Sequence, residues 1–239
     1  MFQFRQFTIE QDRCAMKVGT DGVLLGAWAR TGVPDGLAEA PRILDVGTGT
    51  GVVALMMAQR FPMALIDAVE IDGGAAAQAQ ENVGRSPFAS RVRVHHASLQ
   101  TFVLSEPGRY DAIVSNPPYF QNALKNPDRQ RAMARHADSL PFATLAEAAS
   151  RLLSEGGLLS VVLPTGNALT DFMEQAGCHG FLLSRQLLIK TSQKKAPKRC
   201  LLELTKHRNS EVVIEEQCLS DGTTGRSEWY DSLTKDFYL

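Results

Sequence analysis

The run "RILDVGTGTGVVALMMAQR", residues 42 to 60, restricts the folds open to this chain more than any other stretch. "RILDV" reads as a short apolar strand and "VVALMMAQR" as a helix, with glycines at 47, 49 and 51 between them. Glycine lets the backbone turn tightly and approach a ligand closely. The helix that follows starts with unbonded N–H groups. In an open α/β sheet such a turn lies at the carboxyl edge, where ligands bind.

The rest of the chain repeats this alternation. Strands are expected at 64–72, 91–96, 109–115 and 157–164, and helices at 75–83, 142–155 and 168–177. The helix at 142–155 should stop at Gly156 and Gly157. Before them, 2–9 suggests a short strand and 20–29 a helix, with Thr20 or Asp21 as its N-cap. "FLLSRQLLIK" and "RCLLELTK" follow one another without a helix, which predicts an antiparallel hairpin at one edge. The C-terminal "SEWYDSLTKDFYL" reads as a short helix. The fold class is therefore α/β: a Rossmann-like, mostly parallel sheet with helices on both faces.

With 239 residues, 44 % of them apolar, the chain can bury a large core. Its net charge of −1 makes any polyanion site local. No run of about 18 apolar residues suggests a membrane span, and the N-terminus does not read as a signal peptide. Cys14, Cys178, Cys200 and Cys218 have no metal-like spacing and read as reduced thiols of a cytoplasmic protein. His95 and His96, adjacent on a strand, point to opposite faces and make a poor metal pair, so no metal is expected.

The spacing G-x-G-x-G differs from the G-x-G-x-x-G of dinucleotide sites, which favours a ligand with an adenosine but no pyrophosphate. Glu70, closing the second sheet strand, suits both hydroxyls of a ribose, and Asp72 is an alternative for that role. Asp45 is placed to order the loop. The same glycines would also serve a tight turn that holds no ligand.

The strand "RYDAIV" then runs into "SNPPYF", residues 115 to 120. Together, "LDVGTGTG", "VE" at 69–70 and "NPPY" at 116–119 resemble the class I S-adenosylmethionine-dependent methyltransferases of exocyclic amino nitrogens. "DRCAMKVGTDGVLLGAWA", residues 12 to 29, and the terminal "FYL" are similar to one subfamily. That subfamily is the bacterial tRNA adenine-N6-methyltransferases acting beside the anticodon of valine tRNA. The resemblance covers about residues 10 to 189 and implies a seven-stranded methyltransferase sheet. It implies one domain over 1–239: a cofactor lid (1–41), a core (42–189), then a basic edge loop, last strand and tail (190–239).

The resemblance also implies S-adenosyl-L-methionine as cofactor, with Asn116, Pro117 and Tyr119 catalytic. The adenine N6 lone pair is delocalised into the ring, so the neutral amine is a weak nucleophile. Its transition state carries a more tetrahedral, more positive nitrogen, which two fixed acceptors bind better than the planar amine. The Asn116 side-chain oxygen and the Pro117 carbonyl are those acceptors. Each proline biases the residue before it to extended backbone and holds its own φ. Tyr119 offers a face for the base.

The cofactor set implied is Lys17, Thr20, Asp21, Asp45, Gly47, Thr48, Gly49, Gly51, Glu70, Ser98 and Asn116. Lys17 would pair with the methionine carboxylate, and Thr20 and Asp21 would bond its polar atoms. Ser98 stands where related enzymes usually carry an Asp that accepts from the cofactor's adenine amine.

Two basic segments oppose the neutral total. Residues 125–136 hold Lys125, Arg129, Arg131, Arg135 and His136 against Asp128, and 185–208 hold eight Lys or Arg against Glu203. With Pro118, Tyr119 and Phe120, the residues Arg129, Arg131, Lys194, Lys195 and Lys198 form the expected contacts to tRNA. A solvated charge run is the plainer reading. A protein glutamine-N5 methyltransferase meets the same nitrogen problem, but such enzymes carry a longer N-terminal domain than the forty residues here. A DNA adenine methyltransferase lacks support because no target-reading domain is evident. A non-catalytic RNA-binding module is the remaining alternative. No membrane partner is expected, and a monomer is favoured.

Overall fold

Two short strands, β1 (Phe2–Gln3) and β2 (Thr8–Ile9), open the chain and pair antiparallel. They appear in a computed structural model that describes residues 1–33, 40–105, 108–118, 140–207, 211–222 and 225–239. Helix α1 (Thr20–Trp28) comes next. Strand and helix then alternate: β3 (Arg42–Val46), α2 (Val52–Arg60), β4 (Leu65–Glu70), α3 (Gly73–Gly84), β5 (Val92–His96), α4 (Leu99–Ser105) and β6 (Tyr110–Ser115). Beyond these lie α5 (Phe142–Leu152), β7 (Leu153–Pro164), α6 (Asn167–Cys178), β8 (Leu182–Lys190), β9 (Arg199–Thr205), β10 (Val213–Cys218) and α7 (Glu228–Thr234).

The main sheet has the order β10-β8-β9-β7-β6-β3-β4-β5. Among the described strands of this sheet, only β9 runs against its neighbours, inserted antiparallel between β7 and β8. The strand order reverses between β3 and β6, which opens a crevice at their carboxyl ends. One face is covered by α1, α2, the β1–β2 hairpin and α7; the other by α4, α5 and α6. On α2, Leu55, Met56 and Met57 are fully buried, each stabilising by about 1.5–3 kcal/mol. Gly26 lets α1 lie close against α2, since a Cβ there would stand 2.8 Å from the Met56 Cβ.

The expected mostly parallel sheet with an edge hairpin is present, with one strand more than the seven expected. The additional strand, β10, pairs parallel to β8 and covers the outer side of the hairpin. Its Val213 and Ile214 are both exposed, so it lacks the in-and-out alternation that reveals a strand. Three local expectations change. Residues 2–9 form a tight hairpin rather than one strand. Neither Thr20 nor Asp21 caps α1: Gly19 holds the cap position in extended backbone, and Thr20 is already helical. Helix α5 ends at Leu152 and passes directly into β7. Gly157 lies inside that strand, where a Cβ would meet the Tyr110 carbonyl oxygen at 3.0 Å, beside a register shift against β6.

Candidate active site

Three glycines in left-handed backbone shape the loop after β3: φ is 71° at Gly47, 55° at Gly49 and 83° at Gly51. A side chain in that region costs roughly 1–2 kcal/mol per residue. A Cβ on Gly47 or Gly49 would meet nothing within 4 Å, so the space beside the loop is open to a ligand. The loop is tied to β4, since the Gly47 and Thr48 amides donate to the Val69 carbonyl at 2.9 and 3.1 Å.

Two carboxylates hold the loop from below. Asp45 is 1 % exposed. The Thr48 hydroxyl donates to its Oδ2 at 2.5 Å and the Ala54 amide at 3.1 Å. Burial pushes the Asp45 carboxyl up to about 7, against the pull of those two bonds and with the nearby Glu70 charge adding to it. Glu70 reaches across from the end of β4. Its Oε2 accepts from the Gly49 amide at 2.8 Å, its Oε1 from the Asp72 amide at 3.0 Å. Asp72 instead caps α3, accepting from the Ala75 amide at 2.8 Å. Glu70 is thus bonded to the glycine loop itself, and Asp72 to the start of α3.

The segment before α1 is fastened to α3. The Glu10 amide donates to Asn82 Oδ1 at 2.9 Å, and Asn82 Nδ2 donates to the Glu10 carbonyl at 2.8 Å and the Thr50 carbonyl at 2.9 Å. The Arg13 amide donates to Gln78 Oε1 at 3.4 Å, and the Arg13 guanidinium pairs with Glu81. Nothing in the local sequence pattern assigns these α3 residues a role. The available signal was a pair of carboxamides four residues apart on an alanine-rich helix face. Lys17 is exposed and Thr20 opens α1. Asp21 forms an ion pair with Arg199 at the start of β9, so its carboxylate is committed to a cation of the protein. Ser98 acts as an N-terminal cap for α4: its Oγ accepts from the Thr101 amide at 3.1 Å and pairs with the Thr101 hydroxyl at 2.8 Å.

Next to the glycine loop, β6 ends alongside β3, with Ser115 opposite Val46. The Ser115 hydroxyl donates to the Val46 carbonyl at 2.8 Å and clamps the two strand ends together. Asn116 and Pro118 are half-buried there, and Pro117 is buried. Tyr119, Phe120, Arg129, Arg131 and the remainder of the first basic segment lie outside the described residues.

The second basic segment stands at the same edge of the sheet, because antiparallel β9 begins where β7 ends, Arg199 opposite Pro164. Its root is bonded by the Thr165 hydroxyl, which donates to the Pro197 carbonyl at 2.8 Å. Lys194, Lys195 and Lys198 are exposed. Other members of the run are engaged within the protein, which narrows the basic surface that the sequence suggests. Lys190 pairs with Glu216 at 2.5 Å, Arg199 with Asp21, and Lys206 donates to the Ser150 carbonyl at 3.1 Å. The Arg185 guanidinium stacks 3.7 Å from the Trp28 ring, and buried Glu203 pairs with Arg30.

Another charged cluster lies toward the amino ends of the strands. Asp67 on β4 accepts from Arg42 at 3.1 Å and from the Tyr110 hydroxyl at 3.0 Å, and meets His95 Nε2 at 2.7 Å. Burial alone would raise its carboxyl, but the bonds to His95, Tyr110 and Arg42 outweigh that and hold it below the usual value. His96 turns the other way, to the Ile71 carbonyl. Among the described residues, no group of three His, Cys, Asp or Glu is arranged to hold a metal, no helix is long and apolar enough to cross a membrane, and the four cysteines are free.

A family model described as "Methyltransferase small domain" matches residues 34–177. A tRNA1(Val) (adenine(37)-N6)-methyltransferase of Bacteroides fragilis is 47 % identical over 240 residues, covering all of this chain and 97 % of that one. The protein of the same name from Pseudoalteromonas translucida is 41 % identical over 238 residues, covering 98 % of its own length. Among solved structures, a predicted O-methyltransferase from Agrobacterium tumefaciens superposes with a TM-score of 0.69 at 18 % identity, covering 91 % of this chain and 96 % of that one. A glycopeptide N-methyltransferase complexed with S-adenosyl-L-methionine gives 0.53 at 12 % identity, covering 72 % and 90 %. These two likenesses concern the fold.

Proposed function

The chain belongs to the methyltransferase small-domain family and, along its full length, to the tRNA1(Val) (adenine(37)-N6)-methyltransferases; from that premise we propose that it methylates N6 of the adenine beside the anticodon of valine tRNA. One observation carries the reading. The Asn116–Pro117 corner is clamped to the carboxyl end of β3 by the Ser115–Val46 bond, next to an open glycine loop.

S-adenosyl-L-methionine, when bound, supplies an electrophilic methyl group on a sulfonium sulfur. The open cradle at Gly47 and Gly49 and the Glu70 carboxylate beside it fit its adenosine. Glu70 would accept from its ribose hydroxyls; Asp45, through Thr48 and Ala54, keeps the loop in shape. Lys17, Thr20 and Asp21 would hold the cofactor's methionine end, with Asp21 also anchoring the first turn of α1 to Arg199. Ser98 would accept weakly from the cofactor's adenine amine.

The Asn116 side-chain oxygen and the Pro117 carbonyl accept the two N6 hydrogens. Both bonds strengthen as the nitrogen becomes tetrahedral and positive, so they favour the transition state over the planar amine. The alkylated nitrogen is acidic enough to lose a proton to water. Tyr119 and Phe120 stack the target base, and Pro118 stiffens the corner. Arg129, Arg131, Lys194, Lys195 and Lys198 meet phosphates, which position the RNA without reading its sequence. The whole chain works as one domain, a monomer in the cytoplasm, where its thiols stay reduced.

The test is incubation with labelled cofactor and total RNA from a strain lacking this gene, followed by mass spectrometry of the labelled nucleoside. The expected product is N6-methyladenosine in valine tRNA. Label in another nucleoside, or on protein glutamine, overturns the reading.

A further inference from the structure

Asn82 is 1 % exposed and bonded at every polar position the geometry offers it. Its Oδ1 accepts from the Glu10 amide; its Nδ2 donates to the carbonyls of Glu10 and Thr50 at 2.8 and 2.9 Å. Glu10 directly follows β2, and Thr50 stands between Gly49 and Gly51 in the ligand-facing loop. One carboxamide thus joins two segments that are remote in sequence. The contact is reinforced one turn away. Gln78, also 1 % exposed, accepts from the Arg13 amide at 3.4 Å, and Ala79 lies 3.5 Å from where a Gly51 Cβ would stand. Packing alone would be served by an aliphatic side chain, because a buried amide is costly unless its bonds are made.

We propose that Asn82 is a positioning residue of the cofactor site, fastening the N-terminal lid segment to the glycine loop so that the two form one rigid wall. The inference rests on the methyltransferase reading for its ligand. Its mechanical part stands without one: releasing Asn82 loosens both segments together.

Asn82→Leu keeps the bulk and removes all three bonds. Asn82→Ser is the milder variant and loses the reach to Thr50. Two measurements apply to the folded full-length protein: calorimetric binding of S-adenosylhomocysteine, and hydrogen exchange at residues 8–19 and 47–51 without ligand. We expect the Kd to rise about tenfold for Asn82→Leu. Exchange should speed up in both segments, while turnover at saturating cofactor and KM for tRNA stay within about twofold of the parent values. A purely structural role would lower the melting temperature and leave the Kd of the folded fraction unchanged, which overturns the proposal. So does faster exchange in one segment only, or failure of both variants to fold. If the parent protein binds no S-adenosylhomocysteine, the methyltransferase reading fails, and coupled exchange still decides whether Asn82 fastens the two segments.

Discussion

Asp45 and Asp67 stand on neighbouring strands of one sheet, both nearly buried, and their surroundings are opposite in character. Asp67, toward the amino ends, is met by Arg42, His95 and Tyr110. Asp45, at the carboxyl ends, is bonded by a hydroxyl and an amide, with the Glu70 charge nearby. The carboxyl of Asp67 is held low; that of Asp45 is pushed up to about 7. One end of the sheet spends its charges on one another. Around the glycine loop the acids are instead bonded by amides and a hydroxyl, which fix the loop's shape. On the proposed function, binding belongs to the glycine loop and stability to the Asp67 cluster, so each can be perturbed separately.

The largest effect is expected beside the loop. Asn116→Ala should lower turnover by about 10²–10³-fold, the scale of losing one preorganised hydrogen-bonding partner. Its affinity for S-adenosylhomocysteine should stay within about twofold, and its melting temperature should hardly move. Single-turnover kinetics and calorimetry check this.

Asp67→Asn should do the reverse. It leaves Arg42 and His95 without their carboxylate and should cost about 2–3 kcal/mol in urea unfolding, with cofactor affinity unaltered. A weakened cofactor site in that variant would break the separation of the two ends.

Glu70→Gln should weaken S-adenosylhomocysteine by about tenfold, read by titration calorimetry, because a charged acceptor becomes a neutral one. Neutralising Lys194, Lys195 and Lys198 together should leave cofactor binding alone. It should weaken tRNA binding by about fivefold at 0.15 M salt and reduce its log–log salt slope by roughly 2.

A pH signature also distinguishes the two ends, because its sign differs between them. Asp45 titrates higher folded than unfolded. Its contribution to stability is full below the ordinary carboxylate value near 3.9 and is lost as pH rises to about 7. Asp67 titrates lower folded. Its contribution is present above that ordinary value and is lost as pH falls through the folded one. Asp45→Asn keeps an acceptor for Thr48 and Ala54, so it should flatten the decline between pH 4 and 7 and leave the acid limb intact. Thermal melts across pH measure both limbs.

The functional end was the more legible in sequence because its chemistry is local. Three glycines in a row of five residues, an acid closing the next strand and Asn-Pro-Pro-Tyr each announce a constraint within a few positions. What holds those pieces together was not legible. Asn82 meets Glu10 across 72 residues, and Asp21 meets Arg199 across 178, so neither pairing leaves a local pattern. Asp21 and Ser98 read as ligand contacts; the structure adds a second partner to each, an arginine for Asp21 and a helix end for Ser98. Strand β10 leaves no alternation in the sequence because residues 213–216 are exposed on both faces, and Gly156–Gly157 resembles a helix stop because a bulge and a cap both use glycine.

The central claim is that the corner at 116–117 receives the amine to be methylated. A crystal structure with S-adenosylhomocysteine and the anticodon arm of valine tRNA tests it most directly. The account predicts the target adenine N6 at about 2.7–3.2 Å from both the Asn116 Oδ1 and the Pro117 carbonyl oxygen. A target nitrogen seated away from both oxygens, with the cofactor product lodged beside Gly47 and Glu70, would contradict it.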